Sequence, residues 1–484
     1  MNIRKIFFLL LLTIGALLVH GYHPYAEDAE IYLPGIEKIL HPQLFPFGSQ
    51  FFLAHAHLTF FPNLIAASVR LTHLSLPWAL FLWHVASIFL FLLACWKLTA
   101  LCFTDTWARW AAVGLIAALF TLPIAGTALY VMDQYLNPRN LTAFAGIFAI
   151  VKVLQRNYVQ AALFLVLAAL IHPLMPMFVL LFSAILVAVE HCMADARPAA
   201  LPMMAAALLP FGIGAASPAY HQVALLHHNH YLFEWAWYEW VGALAPIAIL
   251  WWFSRIAKSR GLSQVDVLCR AAIVFEVINV AGALVLSTPP FEMLARLQPM
   301  RSLYLVYIVM LLLGGAFLGE YLLKTRVWRW LVLFGLLCGG MFYAQRQLFP
   351  ASAHVEWPWT ASKNKWVQAF EWIRKNTPPE AIFALDPHHM QIAGEDENGF
   401  RAVAERSMLA DDVKDSGAVT MFPPNAEEWL RETHAQKGWN TFQQPDFERL
   451  QRDFNVSWVV LQQPGVSGLD CPYHNDAVQV CRLN

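Results

Sequence analysis

The chain has 484 residues, 58% of them hydrophobic and only 13% charged, with a mean hydropathy of +0.49. A soluble domain carries roughly 25% charged residues. The 32 basic and 33 acidic side chains nearly cancel, leaving no global field to gather polyanions. A disordered chain, a nucleic-acid binder and an ordinary cytosolic enzyme are excluded.

Apolar runs near the length of a bilayer crossing recur from residue 6 to about 345. A crossing helix needs ~20 apolar residues, so the runs predict a polytopic α-helical membrane bundle of about eleven transmembrane helices. They fall near 6–20, 76–101, 110–126, 141–155, 159–172, 174–190, 199–217, 240–254, 268–287, 303–321 and 328–345. The first also fits a signal peptide, with Arg4 and Lys5 ahead of an apolar stretch. Val19, His20 and Gly21 make a poor cleavage site, so an uncleaved helix is expected. Residues 21–75 are amphipathic and rich in Phe, His and Pro. They read as a large first outer loop of short helices lying along the membrane surface.

Lys and Arg in the short loops set the orientation. Arg4, Lys5, Arg109, Lys152, Arg156, Arg197, Arg255, Lys258, Arg260, Lys324, Arg326 and Arg329 form the richer set. That end, with the N-terminus, is expected in the cytoplasm. The bundle, 1–349, is followed by a polar segment, 350–484, of ordinary charge density. Trp366, Phe370 and Ile373 share one helical stripe, and Thr377-Pro378-Pro379 stops it. Residues 381–385, 456–461 and 478–480 read as strands, and Phe447, Leu450 and Phe454 as a helix face. Alternating helices and strands predict a C-terminal extracytoplasmic α/β domain, periplasmic or extracellular. Cys471 and Cys481 bracket a hairpin-like stretch there. In an oxidising compartment they pair as a disulfide; otherwise they are two buried thiols. The remaining five cysteines lie in or beside membrane helices as apolar filler.

Charges at membrane depth are costly and need a reason. Glu27, Asp28 and Glu30 follow the first helix. Either one projects into a cavity, or Asp28 and Glu30 merely open a helix at its positive end. Asp133 and Arg139 lie between the third and fourth predicted spans, Trp237 and Glu239 before the eighth, Arg296 and Arg301 before the tenth. A guanidinium offers two parallel donors to a phosphate, and a lipid phosphate lies at this depth. The competing readings are headgroup snorkelling for the arginines and an interfacial belt for the Trp/Tyr cluster. His221, His227, His228 and His230 lack tight ligand spacing, and no metal site is expected there.

The layout of a first helix, an acidic outer loop, a helical bundle and an outer C-terminal domain resembles the GT-C superfamily. These are integral-membrane glycosyltransferases that use polyprenyl-phosphate sugars. The segments Glu27 to Pro34, Asn137-Pro138-Arg139, Trp235 to Trp240 and Ala404 to Asp411 are, more narrowly, similar to an uncharacterised bacterial membrane family. The resemblance implies an acidic residue of the first outer loop at the active site, Asp28, with Glu27 the alternate. It implies inverting transfer of a sugar from a polyprenyl-phosphate donor to a glycan, lipid or protein acceptor outside a bacterial inner membrane. Arg139, Arg296 or Arg301 would hold the leaving phosphate, with Asp133, Trp237 and Glu239 around the substrate, and no cofactor is required. The Trp-Trp-Asp-Tyr-Gly motif of oligosaccharyltransferases is missing from the soluble domain, which argues against peptide glycosylation. Two alternatives stand beside this. One is a transporter or lipid-handling protein working through Glu276, Glu190 and Lys97; the other is a non-catalytic scaffold on the same fold.

Overall fold

The computed structural model describes residues 2–195 and 216–483. The span expected near 199–217 falls outside the described residues but for its last two. Fifteen helices make the first part: α1 (Ile3–His20), α2 (Ala29–Leu40), α3 (Gln50–Leu58), α4 (Phe61–Thr72), α5 (Leu76–Cys102), α6 (Thr106–Ala118), α7 (Pro138–Leu154), α8 (Tyr158–Ile171), α9 (Leu174–Asp195), α10 (Pro218–Ala224), α11 (Trp237–Ser259), α12 (Ser263–Leu286), α13 (Glu292–Ala295), α14 (Leu303–Leu318) and α15 (Val327–Leu348). Among the described residues seven helical segments are long and apolar enough to cross a membrane: α1, α5, α9, α11, α12, the run Glu292–Leu323 that contains α13 and α14, and α15. Helices α3 and α4, bent by 84°, would count as an eighth if taken as one span. Large apolar side chains such as Leu163 on α8 and Leu331 and Leu336 on α15 stay exposed, the surface that hydrocarbon covers at no desolvation cost.

The expected count of eleven is therefore too high for the described residues. Where 110–126, 141–155 and 159–172 were read as spans, the helices have 13, 17 and 14 residues. At 1.5 Å per residue the shortest reaches ~20 Å, against a hydrocarbon core of ~30 Å. The reason is local. Phe120, Ile124, Leu129, Val131 and Met132 carry the hydropathy past the end of α6, yet they belong to an irregular loop buried in the bundle. Pro123 cannot donate to a helix, and Gly126 takes a φ of +59° against the Trp235 ring.

Helix direction alternates, so the bundle has two unlike ends. One carries Arg4, Lys5, Arg109, Lys152, Lys258 and Lys324, with Arg156 paired to Glu190 at 2.6 Å and Arg260 paired to Glu320. The other receives α2 to α4 and the C-terminal part. That part contains α16 (Lys365–Asn376), α17 (Phe400–Ala404), α18 (Lys414–Met421), α19 (Ala426–Ala435) and α20 (Gln444–Phe454), with strands β1 (Ile382–Ala384), β2 (Ser407–Met408), β3 (Trp458–Gln462), β4 (Asp470–His474) and β5 (Val478–Arg482). The sheet order is β2-β1-β3-β5-β4. Strands β2, β1 and β3 are parallel, and β3, β5 and β4 antiparallel.

Strand alternation builds two layers. Trp366, Phe370 and Ile373 of α16 pack on Phe383, Val460 and Val480; Phe447, Leu450 and Phe454 of α20 pack on Ile382, Val459 and Leu461. Asn364 starts α16 by accepting from the Trp366 and Val367 amides at 2.8 and 3.3 Å. Asn475 turns the β4–β5 hairpin, its Oδ1 accepting from the Ala477 and Val478 amides at 2.9 and 3.0 Å. Cys471 and Cys481 form a disulfide across that hairpin, 10 residues apart in sequence. Closing so short a loop restricts the unfolded chain modestly. Cys481→Ser should lower the unfolding free energy by about 2–3 kcal/mol, read by urea titration, and reducing agent should produce the same loss in the unmodified protein.

The two parts are knitted together at α2. The Gly399 amide donates to the Tyr25 carbonyl at 2.8 Å, and Ala26 pairs with Asn398. A Cβ on Gly399 would stand 2.4 Å from the Glu30 carboxylate and 3.0 Å from its Cα, so the two backbones approach this closely only with glycine there. Arg401 is fully buried. It donates to Glu30 at 3.1 Å and, with two nitrogens, to Asp415 at 3.0 and 2.7 Å.

Candidate active site

Between the bundle end and the C-terminal part lies a cavity of about 560 Å³. Its walls come from residues at the ends of α2, α3, α7, α9, α11 and α18, with the irregular loop before α7, residues 227–230 and the turn before α14. Glu27, Asp28, Asp133, Arg139, Glu239 and Arg301 all line it, although they lie far apart in sequence.

Glu27 holds a left-handed φ of +57°, fixed by its amide donating to the Glu397 carbonyl at 2.8 Å. That turn sends the Glu27 and Asp28 side chains into the cavity together. Asp28 is the N-cap residue of α2 and makes no side-chain capping bond, so its carboxylate stands at the helix opening and also lines the cavity. Its amide donates to the Tyr135 hydroxyl at 3.3 Å. Glu30 is no mere opener, since both its oxygens accept, from Arg401 and from the Ala402 amide.

A cation from the C-terminal part meets this pair. Lys414 Nζ bonds Glu27 and stands 3.4 Å from Asp28 Oδ1. Burial pushes the Asp28 carboxyl up, but the charges of Lys414, then Arg139, then Arg301 outweigh it and hold Asp28 below the usual carboxylate range. Burial acts the same way on Glu27, and Lys414 with a hydrogen bond from Glu397 holds it down. Glu397 takes the opposite course: burial, then its bond to Glu27, push it up to about 9. The upward shift of Glu397 favours its protonated form beside the Glu27 carboxylate. Asp28 is thus an ionised carboxylate whose side chain keeps 38% of its surface accessible, on the cavity side.

Asn137 caps α7 by accepting from the Asn140 amide at 2.8 Å. Arg139 follows in the first turn and bonds Asp133, which also accepts from Asn137 Nδ2 at 2.6 Å. Asn140, within a glycosylation-like triplet, is fully buried and ties down the loop through the Asp133 and Tyr135 carbonyls. Arg301 sits in a short 3₁₀ turn, Pro299–Ser302. Among the described residues no carboxylate lies within 4.0 Å of it, and its Nε has no hydrogen-bond partner.

Two residues expected around the substrate, Trp237 and Arg296, lie away from the cavity, and a third, Glu239, lines it with a structural duty of its own. Trp237 is 77% exposed and lines no part of the cavity; with the exposed Tyr238 it faces outward, as an interfacial belt would. Arg296 is likewise not among the lining residues, because it ends α13 on the side of Tyr220. Glu239 does line the cavity, but its Oε2 accepts from the Ala236 amide at 2.7 Å and so starts its own helix. Lys414, Tyr32, His55, His172, Gln298 and Glu397 were not legible beforehand. Lys414 lies three residues beyond the Ala404–Asp411 segment, and a lysine in a polar stretch looks like any solvated one. Among the described residues no group of three His, Cys, Asp or Glu side chains is arranged to hold a metal ion.

No family model matches this sequence, and no curated protein sequence matches it. The chain is similar in structure to a crystal structure of the Archaeoglobus fulgidus oligosaccharyltransferase in the apo form, with TM-score 0.47 and 13% sequence identity, over 95% of this chain and 70% of that one.

Proposed function

We propose that this protein is a membrane glycosyltransferase of GT-C type, moving a sugar from a polyprenyl-phosphate donor to an acceptor hydroxyl by inverting displacement. The observation that carries the reading is one cavity holding an ionised, accessible Asp28 and an uncommitted Arg301. Asp28 is the general base. It takes the acceptor proton as the acceptor oxygen attacks the anomeric carbon, and the bond from that carbon to the phosphate oxygen breaks. The lipid phosphate leaves with the electron pair. Arg301, aided by Arg139, meets the charge that develops on it. A single displacement inverts the configuration.

Charge balance favours a donor with one phosphate. Lys414 is committed to Glu27 and Asp28, and Arg139 to Asp133. Arg301 is the cavity cation with no such partner among the described residues, which suits the single charge of a phosphodiester better than the greater charge of a diphosphate. No metal is needed in this scheme, since Arg301, aided by Arg139, supplies the positive charge. The basic end of the bundle faces the cytoplasm by the positive-inside rule, so the cavity opens to the outer side of a bacterial inner membrane.

The test is turnover by the purified full chain, in nanodiscs, of short-chain glycosyl phosphate lipids, with product configuration read by NMR. Retained configuration, or no transfer from any such donor, overturns the reading. Arg301→Ala should raise the donor KM by about 10- to 100-fold, the worth of one charge-assisted hydrogen bond. A second reading, a transported substrate or proton, has one observation behind it. Glu276 in α12 is fully buried and neither carboxyl oxygen has a partner among the described residues. Uptake by proteoliposomes that is lost in Glu276→Gln would favour it.

A further inference from the structure

Away from its charged residues, the cavity lining changes character. Tyr32, His55, Thr59, His172, His230 and Gln298 line it, all hydrogen-bonding side chains and none a carboxylate, lysine or arginine. Tyr32 lies within the fields of Asp28, Arg139 and Arg301, and His55 within those of Asp28 and Arg301. His172 is reached by Arg139, Arg301 and His55. Side chains of this wall are thus within reach of the Asp28 carboxylate and of the Arg139 and Arg301 guanidinium groups. Three of its polar atoms have no hydrogen-bond partner among the described residues: His55 Nδ1, Thr59 Oγ1 and Gln298 Oε1. Buried polar atoms are nearly always satisfied, so a cluster of exceptions along one cavity wall calls for a ligand. The Gln298 amide is held at 2.8 Å from His230 Nε2 through its nitrogen, which leaves its oxygen as the unpartnered atom.

Resting on the donor reading above, we infer that this wall is the subsite for the glycosyl ring, and that the ring it takes is an uncharged, hydroxyl-rich pyranose. The ring must lie between the base and the phosphate, and Tyr32 and His55 interact with both Asp28 and Arg301. Each offers donors or acceptors matched to hydroxyls. Burial pushes His230 down to about 3 and His227 to about 4, so these imidazoles are neutral; each has Nε2 engaged, with Gln298 and Ser416 respectively, and adds no charge to the wall. An acidic sugar would add a second negative charge with no uncommitted cation to receive it.

The experiment is calorimetric titration of the full chain in nanodiscs. The probes are dodecyl methyl phosphate, a diester without sugar, and the dodecyl phosphodiesters of glucose, mannose, galactose, N-acetylglucosamine and glucuronic acid. At least one neutral glycosyl diester should bind 10-fold or more tighter than the methyl diester, and the glucuronosyl diester should show no such advantage. His55→Ala and Gln298→Ala should each reduce the advantage below 3-fold with methyl-diester affinity unchanged; Thr59→Val replaces either if it fails to fold. An advantage absent in the unmodified protein, intact in the variants, or equally large for the acidic sugar overturns the subsite while the phosphate site stands. Binding of no diester at all overturns the donor reading itself, as would undiminished methyl-diester binding by Arg301→Ala.

Discussion

Asp28→Asn is expected to lower turnover by about 10²- to 10⁴-fold, the usual worth of a positioned general base, with donor affinity little changed. The amide keeps the carboxylate's shape, and Lys414 retains Glu27 as its main partner, so folding should survive. Glu27→Gln should cost less, because Glu27 holds the lysine and bonds Glu397 rather than taking a proton from the acceptor. The pH profile separates these roles. Asp28 works ionised, so activity should fall only as the pH drops below the ordinary carboxylate range. Burial alone would raise Asp28, and Lys414 is the largest effect opposing it, ahead of Arg139 and Arg301. Lys414→Met removes that cation and disfavours the charged form, so the acid limb should move to higher pH. Lys414→Arg should largely restore it. Initial rates measured from pH 3 to 8 decide the matter, and an unmoved acid limb in Lys414→Met would remove Lys414 from the site's electrostatics.

Arg401→Ala should be the most damaging substitution for stability, at about 3–5 kcal/mol. Its guanidinium lies fully buried between Glu30 and Asp415. Removing it leaves these carboxyls desolvated with no cation, and emptying so large a buried side chain adds a packing loss. The damage reaches function, since Glu30 lies two residues beyond Asp28 and α2 is fastened to the C-terminal part through it. Thermal unfolding in nanodiscs, with limited proteolysis between the two parts, checks both effects. Arg401→Lys should recover little, because a single ammonium cannot reproduce the fork to Asp415.

Much of the local structure was legible in the residues. Leucine-, phenylalanine- and alanine-rich runs forecast α1, α5, α9, α11, α12 and α15, and the Trp366–Phe370–Ile373 stripe forecast α16. The overcount came from a real ambiguity. A buried irregular loop is as apolar as a helix, so hydropathy continued past Ala118, where the helix had ended. Strands β1 and β3 follow from short apolar runs, and β5 from its alternating Val478 and Val480. Strand β2 has two residues, and α17 has five. Neither is long enough to leave a periodic signature, and both form because their neighbours hold them.

Of the site, the sequence by itself determined the chemical supply: acidic residues after the first helix, arginines beside later helix starts, and a polar C-terminal segment able to build its own core. Only the tertiary structure decided which of them meet. It sent Trp237 outward and Arg296 away from the cavity, set Glu239 to starting its own helix, and brought Lys414 across 386 positions to Asp28. The reason is the range of the forces that write each pattern. Periodicity and capping act within a turn or two of helix and are visible in adjacent letters. Convergence on a cavity depends on helix lengths, loop geometry and one glycine-sized approach at Gly399, none of which any single stretch records.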